Sequence, residues 1–266
     1  MAVMAGVTLA ALGAAGCRHR KTATDLPPLP PITESANQRP SQRGSAQRDA
    51  QTTARSGYKP APIPITPVPA GGVSKADLNY VETHDPIYTE QGLATWYTAP
   101  YQGRKAANGQ VFSDRALTAA HRTLPMGSLI VVTNLKTGDS SAMRVTDRGP
   151  FVDGRIVDLT IASAKATGIY RTGMERVRVD VYKTPKPMDV GGRWCVQIGA
   201  FRSEQKALRL KSQLLRTYPE AQVIEFPGEA SYWVRIRPQG DNRQEAEYIA
   251  HHLKPAEGEA FLTRLD

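Results

Sequence analysis

Short apolar runs separated by turn residues fill the middle of the chain, and they restrict its fold more than any other feature. Between residues 91 and 183 these runs are rich in β-branched side chains or alternate between apolar and polar residues, with Gly, Pro, Asn and Asp between them. This spacing predicts a small all-β barrel or sandwich. One short helix is expected at IASAKAT, with Thr160 or Asp158 as its N-cap and Gly168 at its end. The strand-like runs are GLATWY, SLIVVTN, SAMRVTD, GRIVDL and RVRVDVY.

The C-terminal segment, residues 193–266, has a different order of elements: strand, helix, two strands, helix, strand. One helix is expected from Ser203 to about Arg216, and another from Asp241, which matches a capping box with Gln244. This order predicts a small α+β, ferredoxin-like domain with helices on one face of the sheet and an open opposite face. The Pro- and Gly-containing residues 184–192 are expected to form a linker.

The N-terminal residues 1–16 are small and apolar and end at Cys17. The run is too short to span a bilayer, but it has the length of a signal-peptide core. The stretch AAGC resembles the lipobox of bacterial lipoproteins, which implies cleavage before Cys17 and a lipid on its sulfur. Two features depart from that pattern, because no Lys or Arg precedes the run and Ala14 stands where a larger aliphatic residue is usual. The alternative is a short buried helix.

Residues 17–90 have the composition of a tether. Half of the 20 prolines lie between Pro27 and Pro69, and large apolar side chains are few. Such a segment buries too little apolar surface to offset the entropy cost of ordering. We therefore expect a disordered, lipidated, Pro-rich linker.

The net charge of +9 first suggests a nucleic-acid partner, but its distribution argues against one. More than half of the excess positive charge lies between Arg18 and Ser74, within the expected tether. The five histidines have no cysteine at a metal-ligand spacing, and no nucleotide-binding motif is found. The sequence thus predicts no nucleic-acid partner, no metal and no cofactor. With Cys17 acylated, Cys195 has no disulfide partner and is expected to be an inert strand residue.

Four runs in the middle domain carry a family resemblance: ATWYTAPYQGRKAANGQVF, LTAAHRTLPMGSLIVVTNL, VTDRGPF and GRIVDLTIASAKATGI. They resemble the rare lipoprotein A family, which implies a double-psi β-barrel related to that of expansins. The resemblance further implies an endolytic lytic transglycosylase of peptidoglycan. It assigns catalytic positions to Asp147, His121 and Gln110, and Asp158 is a further matching acid. Gln110 is a departure, because the family has Glu there.

A lytic transglycosylase can work with one carboxyl group, which makes Asp147 the first candidate. The C6 hydroxyl of the sugar attacks C1, so one group can give a proton to the leaving oxygen and then take one from that hydroxyl. Partial burial at a strand end would raise the pKa of Asp147 toward a useful range. His121 is expected beside it, holding a proton or the substrate. Alternatively, Asp147 anchors the turn by accepting backbone N–H groups.

Gln110 leaves two functions open, because an amide can bind an acetamido group or a hydroxyl but cannot transfer a proton. The chain either cleaves glycan or binds it without turnover. Asp158 is a substrate-binding candidate, although a helix cap is the simpler interpretation. Tyr97 is expected to stack on a sugar or to lie in the core, and Asn108 to bind substrate or to form a turn with Gly109.

The runs RWCVQIGAFRSEQKA and SYWVRIRP resemble the sporulation-related repeat (SPOR) domain, which implies binding of peptidoglycan strands that lack stem peptides. Strand alternation places Gln197, Trp233 and Arg235 on the sheet face away from the helices. We expect these three side chains to bind glycan. Such a sheet could also stack RNA bases, but an exported, tethered chain argues against RNA.

Together these features predict a lipid-anchored protein of the bacterial cell envelope. Peptidoglycan glycan strands are its expected substrate, and the lipid on Cys17 is its contact with the membrane. Arg18 does not resemble an inner-membrane retention signal, which favours the outer membrane, facing the periplasm. Enrichment at the division septum and binding of septal division proteins are further expectations. An interaction protein of the division apparatus is a third possible function.

Overall fold

Six strands close into a barrel over the middle of the chain, as the short apolar runs predict. The computed structural model describes residues 69–98, 102–226 and 231–266, so the predicted signal peptide, Cys17 and most of the predicted tether lie outside the described residues. The barrel order is β1-β5-β2-β4-β3-β6. Its strands are β1 (Tyr88–Trp96), β2 (Thr118–His121), β3 (Leu129–Asn134), β4 (Ser140–Asp147), β5 (Arg155–Leu159) and β6 (Met174–Lys183). This closed six-stranded arrangement is the predicted double-psi β-barrel.

The barrel is filled by the inward-facing apolar residues of its strands, which are fully buried. Each Val, Leu, Ile or Met among them contributes roughly 1.5–3 kcal/mol on removal from water. The largest contribution comes from alternate positions of β3, β4, β5 and β6, because side chains two residues apart share one face. These positions include Ile130, Val132, Met143, Val145, Val157, Leu159, Val177, Val179 and Val181.

Strand β2 brings two acidic residues together. It pairs in parallel with β4, where Ala120 lies opposite Asp147, and antiparallel with β5, where Ala120 lies opposite Asp158. The two carboxyl-bearing positions therefore flank one small residue at the same end of the barrel. They are eleven positions apart in sequence and become neighbours only through the intervening strand.

Two helices accompany the barrel. Helix α1 (Lys75–Thr83) begins at Ser74, which forms a reciprocal capping box with Asp77, and an ion pair joins Asp77 to Arg144 of β4. This helix lies within the segment 17–90 that was expected to be disordered, so ordered structure begins earlier than the composition indicated. Helix α2 (Ile161–Ala166) is capped by Thr160, whose hydroxyl accepts from the Ser163 N–H. Asp158 is therefore not its cap.

The C-terminal domain has the predicted βαββαβ order. Its elements are β7 (Trp194–Phe201), α3 (Glu204–Leu214), β8 (Gln222–Phe226), β9 (Ser231–Ile236), α4 (Arg243–His252) and β10 (Glu259–Arg264). The sheet order is β10-β7-β9-β8, and both helices pack on the face formed by Val196, Ile198, Val234 and Ile236. The expected capping box at Asp241 is wrong, because Asn242 is the N-cap of α4. Asp241 instead pairs with Arg237 and Arg193, which hold its carboxylate outside the helix.

The opposite face of this sheet is covered by the barrel, and the expectation of an open face is wrong. Phe151, in the barrel turn after β4, packs its ring 4.9 Å from that of Trp233 on β9 and 6.0 Å from that of Phe261 on β10. Amphipathic side chains that sequence alternation places outside the core can thus still be buried, because a second domain covers them. None of the helices in the described part of the chain is long and apolar enough to span a membrane.

The predicted linker, residues 184–192, is fastened to the end of β10. Lys186 donates to the Asp266 carboxylate (2.6 Å), and Arg264 donates to the Pro187 carbonyl (2.7 Å). Burial alone would raise the pKa of Asp266, but hydrogen bonds from Lys186, the Arg193 N–H and Arg264 outweigh it and lower that pKa to about 2. The segment between the domains is therefore held by charged contacts along its length.

Candidate active site at the end of strand β4

Asp147 ends β4 and keeps some exposure to solvent. Its Oδ1 accepts from the backbone N–H groups of Arg148 (2.9 Å) and Ala107 (3.1 Å), and its Oδ2 accepts from the Tyr97 hydroxyl (3.4 Å). Burial raises the pKa of this carboxyl, and the hydrogen bonds oppose that effect only in part. The group can therefore carry a proton at a higher pH than an ordinary aspartate, which suits a general acid.

The Tyr97 side chain contacts the Asp147 carboxyl group. Its ring packs against Phe112 at 5.0 Å, and its hydroxyl points to the Asp147 carboxyl. Burial and the nearby charges of Asp147 and Asp158 raise the pKa of Tyr97 well above its ordinary value, so the phenol keeps its proton. The structure thus places Tyr97 as a hydrogen-bond donor to the candidate acid, with its ring packed against Phe112.

The turn 105–111 folds over the end of β4. The Asn108 N–H donates to the Thr146 carbonyl (3.0 Å), next to the bond between Ala107 and Asp147. The buried Asn108 side chain donates to Gln110 Oε1 (2.7 Å), and its own Oδ1 accepts from the Gln110 N–H (3.0 Å). Asn108 therefore fixes the Gln110 side chain on the turn that touches Asp147. Both residues thus lie on the turn that contacts Asp147, and Asn108 holds this turn together.

Asp158 faces the same end of the barrel. Its Oδ1 accepts from the Thr95 hydroxyl (2.5 Å) and forms an ion pair with Arg155. Gly149, with a φ of +139°, passes close by, and a Cβ added there would lie 3.9 Å from both Asp158 Oδ2 and the Ala120 Cβ. The Asp158 carboxylate pairs with the Arg155 guanidinium, and its charge, like that of Asp147, contributes to the raised pKa of the Tyr97 phenol.

His121 is buried and turned away from the expected proton-handling position. Its Nδ1 accepts from the backbone N–H groups of Thr123 (3.2 Å) and Leu124 (3.0 Å). Its Nε2 must then carry the proton, and it donates to Glu90 Oε1 over 2.7 Å. Both ring nitrogens are engaged by groups other than Asp147. This geometry favours a structural role that joins β1 to the turn after β2.

Comparison with known proteins identifies both domains. The family model described as lytic transglycolase matches residues 89–179, and the model of the SPOR domain matches residues 190–264. The barrel is a lytic transglycolase domain, and the C-terminal sheet is a SPOR domain. Asp147, Asp158 and Gln110 all lie within the first match, and Gln197, Trp233 and Arg235 lie within the second.

Curated relatives carry the same name in several bacteria. The chain is 44% identical over 100 residues to "Endolytic peptidoglycan transglycosylase RlpA" of Vibrio cholerae, covering 38% of each protein. It is 43% identical over 122 residues to "Probable endolytic peptidoglycan transglycosylase RlpA" of Synechocystis, covering 44% of this chain and 37% of the relative. The RlpA of Haemophilus influenzae is 34% identical over 152 residues, covering 56% and 53%. The chain thus spans about two fifths to one half of these relatives.

Solved structures also resemble the barrel. One is a mutant expansin of Clavibacter michiganensis in complex with cellohexaose, at 21% identity and a TM-score of 0.31. It covers 43% of this chain and 59% of that one. A Streptomyces papain inhibitor has the same TM-score at 19% identity, covering 37% of this chain and 97% of that one.

The predicted glycan-binding residues of the SPOR domain share one face but are not exposed. Gln197 and Arg235 are cross-strand partners, and the Arg235 guanidinium donates to Gln197 Oε1 over 2.9 Å. Gln197 is fully buried, and Trp233 is 5% exposed. Cys195 is buried in the same domain, where burial raises the pKa of its thiol to about 11, as suits the expected inert residue.

Sequence reasoning missed three residues of the lytic transglycolase domain. Thr95 and Arg155 hold Asp158, and Glu90 holds His121. Arg155 lies three positions before Asp158, and this spacing was an available signal, but Thr95 and Glu90 come from a strand far away in sequence. Among the described residues no group of His, Cys, Asp and Glu could hold a metal ion.

Proposed function

We propose that this chain is an endolytic lytic transglycosylase that cleaves peptidoglycan glycan strands, chiefly strands without stem peptides. The observation that carries the proposal is the geometry of Asp147. It is a half-buried carboxyl group with a raised pKa at the end of β4, reached by solvent and fixed by two backbone N–H groups. The names of the relatives and the match to the lytic transglycolase model support the choice of reaction.

In the first step the protonated Asp147 gives its proton to the glycosidic oxygen. The bond between C1 of the muramic sugar and that oxygen breaks, and the new chain end leaves with a hydroxyl group. The C1 centre then has oxocarbenium character and needs a nearby negative charge. Asp158, which Arg155 and Thr95 hold in place, supplies a fixed carboxylate at the same end of the barrel.

In the second step the C6 hydroxyl of the same sugar attacks C1. The Asp147 carboxylate takes the proton from that hydroxyl as the new C1–O6 bond forms, which restores the acid and leaves a 1,6-anhydromuramic end. One carboxyl group thus acts as acid and then as base, and neither water nor a cofactor takes part. Tyr97 holds the carboxyl during both steps.

Gln110 supports a second candidate function, a glycan-binding protein without turnover. An amide at this position cannot transfer a proton, and Asn108 already uses its oxygen as an acceptor. If the family's Glu is essential for chemistry, the site would hold a sugar through hydrogen bonds alone.

The same proposal places the protein in the bacterial cell envelope. The relatives and the SPOR match support association with the cell wall. The lipobox-like AAGC supports a lipid on Cys17 that anchors the chain to the outer membrane, facing the periplasm. Septal enrichment follows from the preference of SPOR domains for denuded glycan, and it would bring the chain close to the division proteins that are its further expected partners.

The test is to incubate the purified protein with sacculi treated with an amidase and to identify the released products by mass spectrometry. We expect products with 1,6-anhydromuramic ends, reduced about 10²- to 10⁴-fold in Asp147→Asn. Asp153→Asn is the matched control, because Asp153 lies in the same turn but is exposed. Glycan binding without anhydro products would favour the binding protein, and full activity in Asp147→Asn would refute the assigned acid.

A further inference from the structure

The lytic transglycolase domain occupies the face of the SPOR sheet that is assigned to glycan. Phe151 packs on Trp233 and Phe261, and the Arg122 guanidinium lies 5.3 Å from the centre of the Phe261 ring. Phe261 is the cross-strand partner of Gln197, which in turn pairs with Arg235. The contact therefore falls on the same row of residues that would meet a sugar chain.

Backbone hydrogen bonds fix this closed arrangement. Arg148 donates from its guanidinium to the carbonyls of Arg264 and Asp266, and also to that of His121 in its own domain. Two amides bond directly across the domains: the Arg264 N–H donates to the Arg122 carbonyl (2.9 Å), and the Met126 N–H donates to the Asp266 carbonyl (3.4 Å). Burial lowers the pKa of Arg148 to about 9, so the guanidinium still carries its charge at neutral pH.

In the closed form, two buried hydrogen-bond donors on the covered face lack an acceptor within the described residues. Gln197 Nε2 and Arg235 Nε are buried and, within the described part of the chain, have no hydrogen-bond acceptor. Buried donors without acceptors are uncommon in folded proteins, and each requires an explanation. The aromatic and cationic side chains of the barrel fill the space, but they supply no oxygen to these two donors.

We propose that this face has two alternative occupants, the barrel of the same chain and a denuded glycan strand, which compete for it. The proposal rests on the glycan-directed function above. Acetamido carbonyl and hydroxyl oxygens are acceptors that would satisfy Gln197 and Arg235, and a sugar ring can replace Phe151 against the Trp233 indole. The closed chain is thus an autoinhibited form of the SPOR domain, and glycan binds after the domains separate.

Separation also changes the candidate active site. Arg148 and Phe151, which hold the closed form, belong to the turn that follows Asp147, and Arg148 supplies one of the two backbone N–H groups on its carboxyl. When the SPOR domain leaves, this turn loses its contacts with Arg264, Asp266, Trp233 and Phe261. Recognition of glycan by one domain therefore releases the turn that follows the candidate acid of the other and donates a backbone N–H group to it.

Hydrogen exchange on the full chain tests the competition directly. The probe is soluble denuded glycan, added to Asp147→Asn so that no strand is cut. We expect faster exchange at the amides of Arg264 and Met126 when glycan is bound, because both amides are protected by bonds between the domains. Glycan binding that leaves both amides equally protected would overturn the proposal.

A second experiment opens the domains by mutation. Phe151→Asp places a charge against Trp233 and Phe261. Leu135→Asp makes the same kind of change at an exposed position just after β3, beside the start of β4 and thus at the end of the barrel away from the Asp147 turn. In a Cys17→Ser background Cys195 is the single thiol in the sequence. It lies close enough to the interface for the positive charge of Arg148, in the barrel, to affect the pKa of its thiol. We expect Cys195 to react with a maleimide faster in Phe151→Asp than in wild type and Leu135→Asp.

Binding to amidase-treated sacculi is then measured for the same variants. If about one molecule in ten is open, full opening strengthens apparent binding about tenfold. We expect this gain in Phe151→Asp, no gain in Leu135→Asp, and loss of the gain when Gln197→Ala is added. A reactive Cys195 without tighter binding would overturn the competition, and so would an unreactive Cys195 with wild-type binding. Neither result bears on anhydro products, which report the proposed catalysis separately.

Discussion

The Tyr97 hydroxyl donates a hydrogen bond to Asp147 Oδ2 over 3.4 Å. A bond to the charged form of a carboxyl group lowers its pKa, so Tyr97 moderates the increase that burial causes at Asp147. The residue that follows β1 and the last residue of β4 thus meet at the group that would transfer the proton. This contact makes Tyr97 a positioning residue for the proposed reaction.

Tyr97→Phe should move the pH profile of cleavage upward. Without the phenol, the pKa of Asp147 rises further, so the acid keeps its proton to a higher pH and the alkaline limb of kcat/KM shifts in that direction. The measurement is the release of anhydromuramic products from denuded glycan between pH 5 and 9, varied in about half-unit steps. Tyr170→Phe, on the barrel surface against Trp96, is the control and should leave the limb in place. An unchanged limb in Tyr97→Phe would show that the contact is only structural.

Asp147→Asn should lower the rate of cleavage without lowering the free energy of unfolding at neutral pH. Because burial raises the pKa of Asp147 in the folded chain, the native carboxyl holds its proton better than the unfolded one. The contribution of this group to stability is therefore largest below pH 3.8 and is lost as the pH rises through the folded pKa. Thermal unfolding of both proteins across this range should show Asp147→Asn gaining relative to wild type with rising pH. A relative loss with rising pH would contradict the raised pKa.

Gln110→Glu should increase cleavage by about tenfold or more if the amide limits turnover. A carboxylate can still accept from Asn108 Nδ2, so the turn keeps its shape while the site gains a titratable group. Gln102→Glu is the matched control, since the Gln102 side-chain oxygen also accepts a hydrogen bond in the same segment, in its case from the Asp114 N–H. Product release is measured by mass spectrometry at equal protein concentration. A decrease in Gln110→Glu would indicate that the amide is the form adapted to this site.

His121→Ala should destabilise the protein by about 2–4 kcal/mol, because it leaves the N–H groups of Thr123 and Leu124 without their acceptor and removes a buried ring. Chemical denaturation measures the loss. At a temperature where the variant is folded, cleavage should stay within a few-fold of wild type, since both ring nitrogens serve structural contacts. A large loss of activity with normal stability would instead support the predicted catalytic role.

Strands and core positions followed from the sequence because their determinants are local. The run WCVQIGAF corresponds to β7 (Trp194–Phe201), and strand alternation correctly placed Val196 and Ile198 against the helices. Helix α1 was missed because its sequence is polar and adjoins Pro-rich residues. It is stabilised instead by its capping box and by the contact between Asp77 and Arg144, 67 positions away.

The sequence indicated the two carboxyl groups of the candidate site, but not the side chains that hold them in place. Asp147 and Asp158 stand in recognisable turns, whereas Thr95 reaches Asp158 across 63 positions through a parallel strand pair. The orientation of His121 depends on a turn whose backbone N–H groups are not visible in a sequence. The covered SPOR face was also beyond sequence reasoning, because alternation shows which side chains leave the core but not what packs on them.

The contacts made by the segment between the domains limit what a change in its length can do. Lys186, Pro187 and Arg193 are all bonded to Arg264 or Asp266, so these hydrogen bonds hold the segment between the domains against the end of the SPOR domain. A few extra residues inserted near Val190, which is 68% exposed, would bulge into solvent while those bonds persist. The distance that the SPOR domain can move away from the barrel would increase only in molecules in which the bonds between Lys186 and Asp266 and between Arg264 and Pro187 have broken.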